Sequence, residues 1–309
     1  ASWTGLIGLK GTRGINPLPR GLNESILAGA VEGALVRSMR DCAAVTEVLA
    51  IHRHLGGSFM PSHPPPTLRP QAQVESRQFR IGFCTQAWGS DVKIDSDVQS
   101  ALAKMAQRLE HLGHQVIELS PQDICDFNAL RESFTVAEWL LPISRELLHQ
   151  VHEANVELTD ANASIQLRNH LALADRYDVD DLFGAQLETE ALMRRWGAFW
   201  QHGPCDLLLS PVTPITCPEV TASYRMDSDL DFDSWFAALF DAACFTIPAN
   251  HMGLPALSIP AGLDRNGCPI GMQLMAPWRH EHDLLHLGFQ IEQSHPELFN
   301  LKPRHGLHR

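Results

Sequence analysis

The sequence predicts an α/β fold in which a mixed central β-sheet carries helices on both faces. Three observations predict it. Residues 80–119 read as strand, helix and strand with short connections, and parallel pairing requires such a crossover. Asp206-Leu207-Leu208-Leu209-Ser210-Pro211 is an apolar run ended by proline, the pattern of a strand buried on both faces. Ala256–Pro260 and Ile270–Met275 flank the turn Asp264-Arg265-Asn266-Gly267, a strong hairpin signal.

The elements follow in order. Residues 5–14 are apolar and punctuated by glycine, which suits a short buried strand entering a turn. From Ser38, a capping residue, Met39, Cys42, Ala43, Val45, Val48 and Leu49 recur at helical spacing. Residues 57–78 hold Pro61, Pro64, Pro65, Pro66 and Pro70, and are expected to form an exposed, mobile connection. Arg80–Cys84 reads as a strand. Residues 97–112 read as an amphipathic helix, with Val98, Leu102, Met105 and Leu109 on one face and Gly113 as its stop. Gln115–Leu119 reads as the next strand. Residues 126–203 have a helical pattern and form a helical cover. Residues 233–246 and 279–294 complete the helices, and the 309 residues read as one domain.

Composition narrows the function. There are 24 Lys and Arg against 36 Asp and Glu, a net charge of −12, which argues against a phosphate-binding face and so against nucleic acid. No apolar run is long enough to span a membrane, and no signal-peptide pattern opens the chain. The 7 cysteines include no C-x-x-C pair, so neither a disulfide framework nor a zinc knuckle is suggested. A reduced, cytoplasmic setting is the expectation.

Chemistry-bearing patterns are incomplete. Gly8, Gly11 and Gly14 lack the spacing of a phosphate cradle and suit close backbone packing instead. His282 and His286 share a helix face, but Asp283 stands where a metalloprotease base would be Glu. A solvated helix start is the expectation there, with no metal. Among the serines, Ser2, Ser133 and Ser210 lie on ordered elements, yet no G-x-S-x-G elbow is present, and each is expected to pack or cap. The residues alone supply no complete catalytic set.

Five stretches together carry a resemblance. They are Ala1–Gly14, with Gly5-Leu6-Ile7-Gly8-Leu9-Lys10; Val36-Arg37-Ser38-Met39-Arg40-Asp41-Cys42-Ala43; Leu208–Pro214; Phe245–Gly262; and Gly267–Leu274. In this order they resemble the amidase signature family, departing at Gly11 (usually Pro) and Cys268 (usually Leu). The resemblance implies amide hydrolysis through a Ser–cis-Ser–Lys triad, with no cofactor or metal. It places that triad and its glycine-rich loop upstream of Ala1, so no catalytic residue is expected in this chain. The chain would be the C-terminal two-thirds of an amidase that lacks its N-terminal part. Lys10 matches a structural lysine of the family rather than the catalytic one.

Pro211, Thr213 and Pro214 are expected to end a central strand and face the substrate, because ligands of open α/β sheets sit beyond strand carboxyl ends. Asn250 is a weaker substrate-binding candidate. The implied partners are a small-molecule amide and the upstream segment, with a homodimer left open. The A subunit of a glutamine-dependent amidotransferase, or a non-catalytic scaffold if the chain starts at Ala1, are the alternatives.

Overall fold

The computed structural model describes residues 1–16, 31, 33–51, 77–219 and 225–302. Seven strands form one sheet in the order β2-β1-β6-β7-β5-β3-β4. They are β1 (Ile7–Lys10), β2 (Leu35–Val36), β3 (Arg80–Phe83), β4 (Gln115–Glu118), β5 (Leu207–Pro211), β6 (Ala256–Leu263) and β7 (Pro269–Met275). β3 pairs in parallel with β4 and β5, whereas β7 is antiparallel to both β5 and β6, and β1 is antiparallel to β6. The mixed sheet and the parallel crossover read from residues 80–119 are both present.

Besides a single turn at Pro121–Ile124, the helices among the described residues are α1 (Met39–Ile51), α2 (Ser96–His111), α3 (Phe127–Phe134), α4 (Leu141–Glu153), α5 (Ile165–Ala174), α6 (Val179–His202), α7 (Phe232–Ala243), α8 (Ile247–His251) and α9 (Glu281–Ser294), with a 3₁₀ turn at Pro296–Asn300. Local chemistry sets their ends. The Asp41 N–H donates to Ser38 Oγ at 3.1 Å, as a capping serine requires. Asp95 caps α2 by accepting from the Asp97 N–H, and the chain leaves that helix through Gly113 at φ +90°. In the β6–β7 turn, Asp264 Oδ1 accepts from the Asn266 and Cys268 N–H groups, and Gly267 takes φ +82°.

Three features escaped the sequence pattern. β2 has two residues, too few to show a period. The helix expected over 233–246 ends at Ala243, and a separate short helix with Pro248 in its first turn follows. The 126–203 helical stretch is interrupted by a π-helical turn, Thr135–Leu140, between α3 and α4. The proline-rich connection 57–78 lies outside the described residues except for 77 and 78.

The core runs from the sheet into the helical cover. All five residues of β5 and all seven of β7 are buried. α2 packs on β4, β5, β6 and β7, and α9 packs on β6 and α1. Trp88 stacks on Phe127 at 4.8 Å and meets Phe245 edge-on at 5.2 Å. Trp196 of α6 meets both Phe127 and Phe199 edge-on. Trp196 is fully buried, so Trp196→Ala should open a cavity costing about 3–5 kcal/mol. Urea denaturation would show this as a lower midpoint; an unchanged midpoint would mean that the cover folds independently of this contact.

Candidate functional site

Strand direction decides which loops meet. β3, β4, β5 and β6 run one way, β1 and β7 the other. The starts of β1 and β7 therefore stand at the same edge as the carboxyl ends of β3 to β6. Ala1–Gly5 forms a single 3₁₀ turn at that edge, closed by Gly5 in the left-handed conformation.

Gly271 of β7 holds this edge together. Its N–H donates to Ser2 Oγ at 2.9 Å, and its carbonyl accepts from the Val212 N–H at 3.1 Å. A Cβ on Gly271 would stand 2.9 Å from Ser2 Cα, so only glycine lets the first turn lie on the strand. The turn that opens β1 and the residue following Pro211 are thus both bonded to the backbone of one residue, Gly271. Pro211 is buried, Thr213 is half-buried and its hydroxyl donates to the Ile215 carbonyl at 2.9 Å. The Pro214 carbonyl accepts from the Asp95 N–H at 2.8 Å, joining this loop to the start of α2. Beyond the carboxyl ends of β3 and β4 lies a cavity of about 500 Å³, lined by residues that include Gln86, Asp91, Asn128 and Arg195. A neighbouring cavity of about 560 Å³ shares Ser90, Asp91 and Asn128 and adds Arg131, Glu132 and Tyr177.

Asn250 lies elsewhere. It belongs to α8, which leads into the amino end of β6, and its carbonyl accepts from Arg13 Nη2 at 2.9 Å. Arg13 follows β1, at the sheet edge opposite Pro211, Thr213 and Pro214. The structure brings those three together and leaves Asn250 with Arg13.

At this second edge the fold builds a polar group that spacing along the chain could not reveal. Ser133 Oγ lies 2.8 Å from His251 Nε2, and His251 Nδ1 lies 2.8 Å from Glu138 Oε1. Arg13 pairs with Glu138 at 3.3 Å and also donates to the His251 carbonyl. The order serine, histidine, carboxylate is that of a hydrolytic triad. Burial argues against that use: Ser133, His251 and Glu138 are 3%, 0% and 5% exposed, and no substrate could reach the hydroxyl. Its evident work is structural, because it joins α3 and the π-helical turn of the cover to α8 and the loop after β1. His251 falls inside the Phe245–Gly262 stretch, and Ser133 was one of the serines expected to pack or cap, but nothing in the sequence joined the two.

The other candidates are structural in their contacts. Ser210 Oγ donates to the Pro211 carbonyl and accepts from Gln273 Nε2. Burial pushes the thiols of Cys42, Cys84, Cys125 and Cys244 up to about 12, far from a thiolate nucleophile. His282 and His286 part company: His282 faces Asp283, while His286 meets Phe79 and Gln290. Lys10 ends β1 with Nζ donating to the Gly11 carbonyl at 3.0 Å.

Residues 1–285 match the Amidase family, to which the chain belongs. The chain is 31% identical over 314 residues to the 6-aminohexanoate-cyclic-dimer hydrolase of Pseudomonas sp. (strain NK87), covering 96% of this chain and 60% of that protein. It is 28% identical over 316 residues to the A subunit of the glutamyl-tRNA(Gln) amidotransferase of Prochlorococcus marinus (strain MIT 9303), covering 95% of this chain and 61% of the relative. A solved structure of 6-aminohexanoate cyclic dimer hydrolase superposes with a TM-score of 0.82 at 27% identity, over 98% of this chain and 63% of that one. The chain thus spans about 60% of the length of the curated relatives it matches.

Lys10, at the end of β1, gives the edge that holds Arg13 and Glu138 a pH signature. Burial and the Arg13 guanidinium push its ammonium down to about 7, against the opposing pull of Glu281 and Glu138. Between pH 7 and the ordinary lysine range the unfolded chain holds the extra proton, so Lys10 makes stability rise with pH across that window. Lys10→Met should raise stability at pH 6 and flatten the rise. Urea midpoints of both proteins from pH 6 to 10 would show this, and parallel curves would place Lys10 in water.

Proposed function

We propose that the whole protein hydrolyses the C–N bond of a small-molecule amide. The attacking group is a serine upstream of Ala1, activated by the family's bridging serine and lysine, and the step passes through an acyl-enzyme. In that chemistry the serine hydroxyl gives up its proton as it attacks the carbonyl. The amine then leaves with a proton, and water releases the acid. Membership of the amidase family supports the reaction class. The observation that supports the site is the backbone of Gly271, which bonds both Ser2 in the turn opening β1 and Val212, the residue before Thr213. A nucleophile a few residues before Ser2 would act at the edge where Pro211, Thr213 and Pro214 stand. This chain then supplies sheet core and part of the substrate wall. Asn250 contributes through its hold on Arg13 at the other edge.

A 6-aminohexanoate-type amide, linear or cyclic, is the first substrate to try, because the hydrolase relatives act on the cyclic dimer. The amidotransferase reading rests on the similarity to the A subunits of such enzymes and calls for a partner protein to receive ammonia. Stable co-purification with such a partner would favour it. Among the described residues no helix is long and apolar enough to cross a membrane. A cytoplasmic setting belongs to the same proposal and rests on cysteines that all stand as free thiols.

The chain alone should resist a serine-directed fluorophosphonate probe and hydrolyse no amide. Activity should appear when the upstream segment is joined to it. Loss of one member of an activated set costs on the order of 10³-fold or more. Stoichiometric labelling of the chain alone, or hydrolysis that survives Ser2→Ala, would place the nucleophile among these 309 residues and end the proposal.

In the joined protein, Thr213→Val removes the hydrogen bond to Ile215, worth about 1 kcal/mol, and should lower kcat/KM roughly fivefold. An unchanged kcat/KM would remove Thr213 from the substrate wall.

A further inference from the structure

We propose that His280, His282 and Asp283, at the start of α9, form a binding site for a divalent transition-metal ion of the kind imidazole favours, such as Zn²⁺, Ni²⁺ or Cu²⁺. Asp283 is 4% exposed and both its carboxylate oxygens face imidazole nitrogens. Oδ2 lies 2.8 Å from His280 Nδ1, and Oδ1 lies 3.3 Å from His282 Nε2. One ligand atom from each residue lies within 4.8 Å of the other two. Ligand atoms on a tetrahedral zinc ion, bonded at about 2.0–2.1 Å, stand about 3.3 Å apart. The two carboxylate-to-imidazole separations are already at or below that value. Only the two histidines must close on each other, and their rings already stack at 5.4 Å.

Three properties make the cluster a ligand set rather than a buried ion pair. The side chains of His280 and His282 are 45% and 41% exposed, which leaves room for the ion and for a water in an open fourth position. His282 Nδ1 is buried without a hydrogen-bond partner, so Nε2, the nitrogen that faces Asp283, is the one turned toward the cluster. Two nitrogens and one carboxylate suit transition metals, whereas Mg²⁺ and Ca²⁺ demand mostly oxygen.

The competitor is internal. Arg77 pairs with Asp283 Oδ1, and its guanidinium also lies over the Phe79 ring. Its side chain is 50% exposed, so it can leave. A metal ion entering the cluster displaces Arg77 from Oδ1 and any proton from the two imidazoles into solvent. The occupant of Asp283 is then decided by exchange between a tethered monovalent cation and a free divalent one.

Isothermal titration of the untagged chain with ZnCl₂, and in parallel with MgCl₂, tests this. One zinc site per chain and no magnesium site are expected. His280→Gln and His282→Gln should each weaken zinc binding at least tenfold, with circular dichroism verifying the fold, and His286→Gln should leave it unchanged. Arg77→Ala should tighten it by removing the competing cation. Zinc binding indifferent to both His280→Gln and His282→Gln would assign it to other histidines and overturn the proposal. So would an Arg77→Ala protein that binds no zinc.

Discussion

The bare backbone of Gly271 is the constraint on which the candidate site depends. Its N–H holds Ser2, its carbonyl holds Val212, and the absence of a side chain lets Ser2 Cα approach to where a Cβ would be. Strand direction supplies the rest. Because β7 runs against β5 and β6, its first residues meet the last residues of both, and the turn opening β1 falls at the same edge. Cavities at the carboxyl ends of β3 and β4 lie along this edge, as expected for an open α/β sheet.

The opposite edge serves stability. Arg13, His251 and the pair Ser133 and Glu138, which share one continuous stretch, come from three separate segments and are joined beneath the helical cover. Burying charge is costly unless each group finds a partner, and here each does. The π-helical turn that carries Glu138 follows the last residue of α3 and aims that carboxylate at His251. The arrangement copies the connectivity of a hydrolytic triad while sealing it from substrate. Order of residue types does not make a catalyst without access and a place for the oxyanion.

The elements of the fold were legible wherever local chemistry decides. The Ser38 cap, the Gly113 stop, the Asp264–Gly267 turn and the apolar run of β5 each have a cause within a few residues. The five family-like stretches pointed to the amidase family, to which residues 1–285 belong. The two-residue β2 was illegible, since a pair of residues has no period. Helical spacing paired His282 with His286, yet the chain turns at Arg279 with φ +69° and sets His280 and His282 against Asp283 instead.

The sequence by itself determined the α/β class, the parallel crossover over residues 80–119 and the strand that ends at Pro211, because hydrophobic period and turn chemistry act over short distances along the chain. Tertiary structure alone decided that Val212 and Ser2 share Gly271 while Asn250 stands with Arg13. It alone decided that Ser133 answers to a histidine in a distant part of the chain. Those outcomes depend on which strands run antiparallel and on which side chains burial forces to share a partner, and neither is written in any window of the sequence.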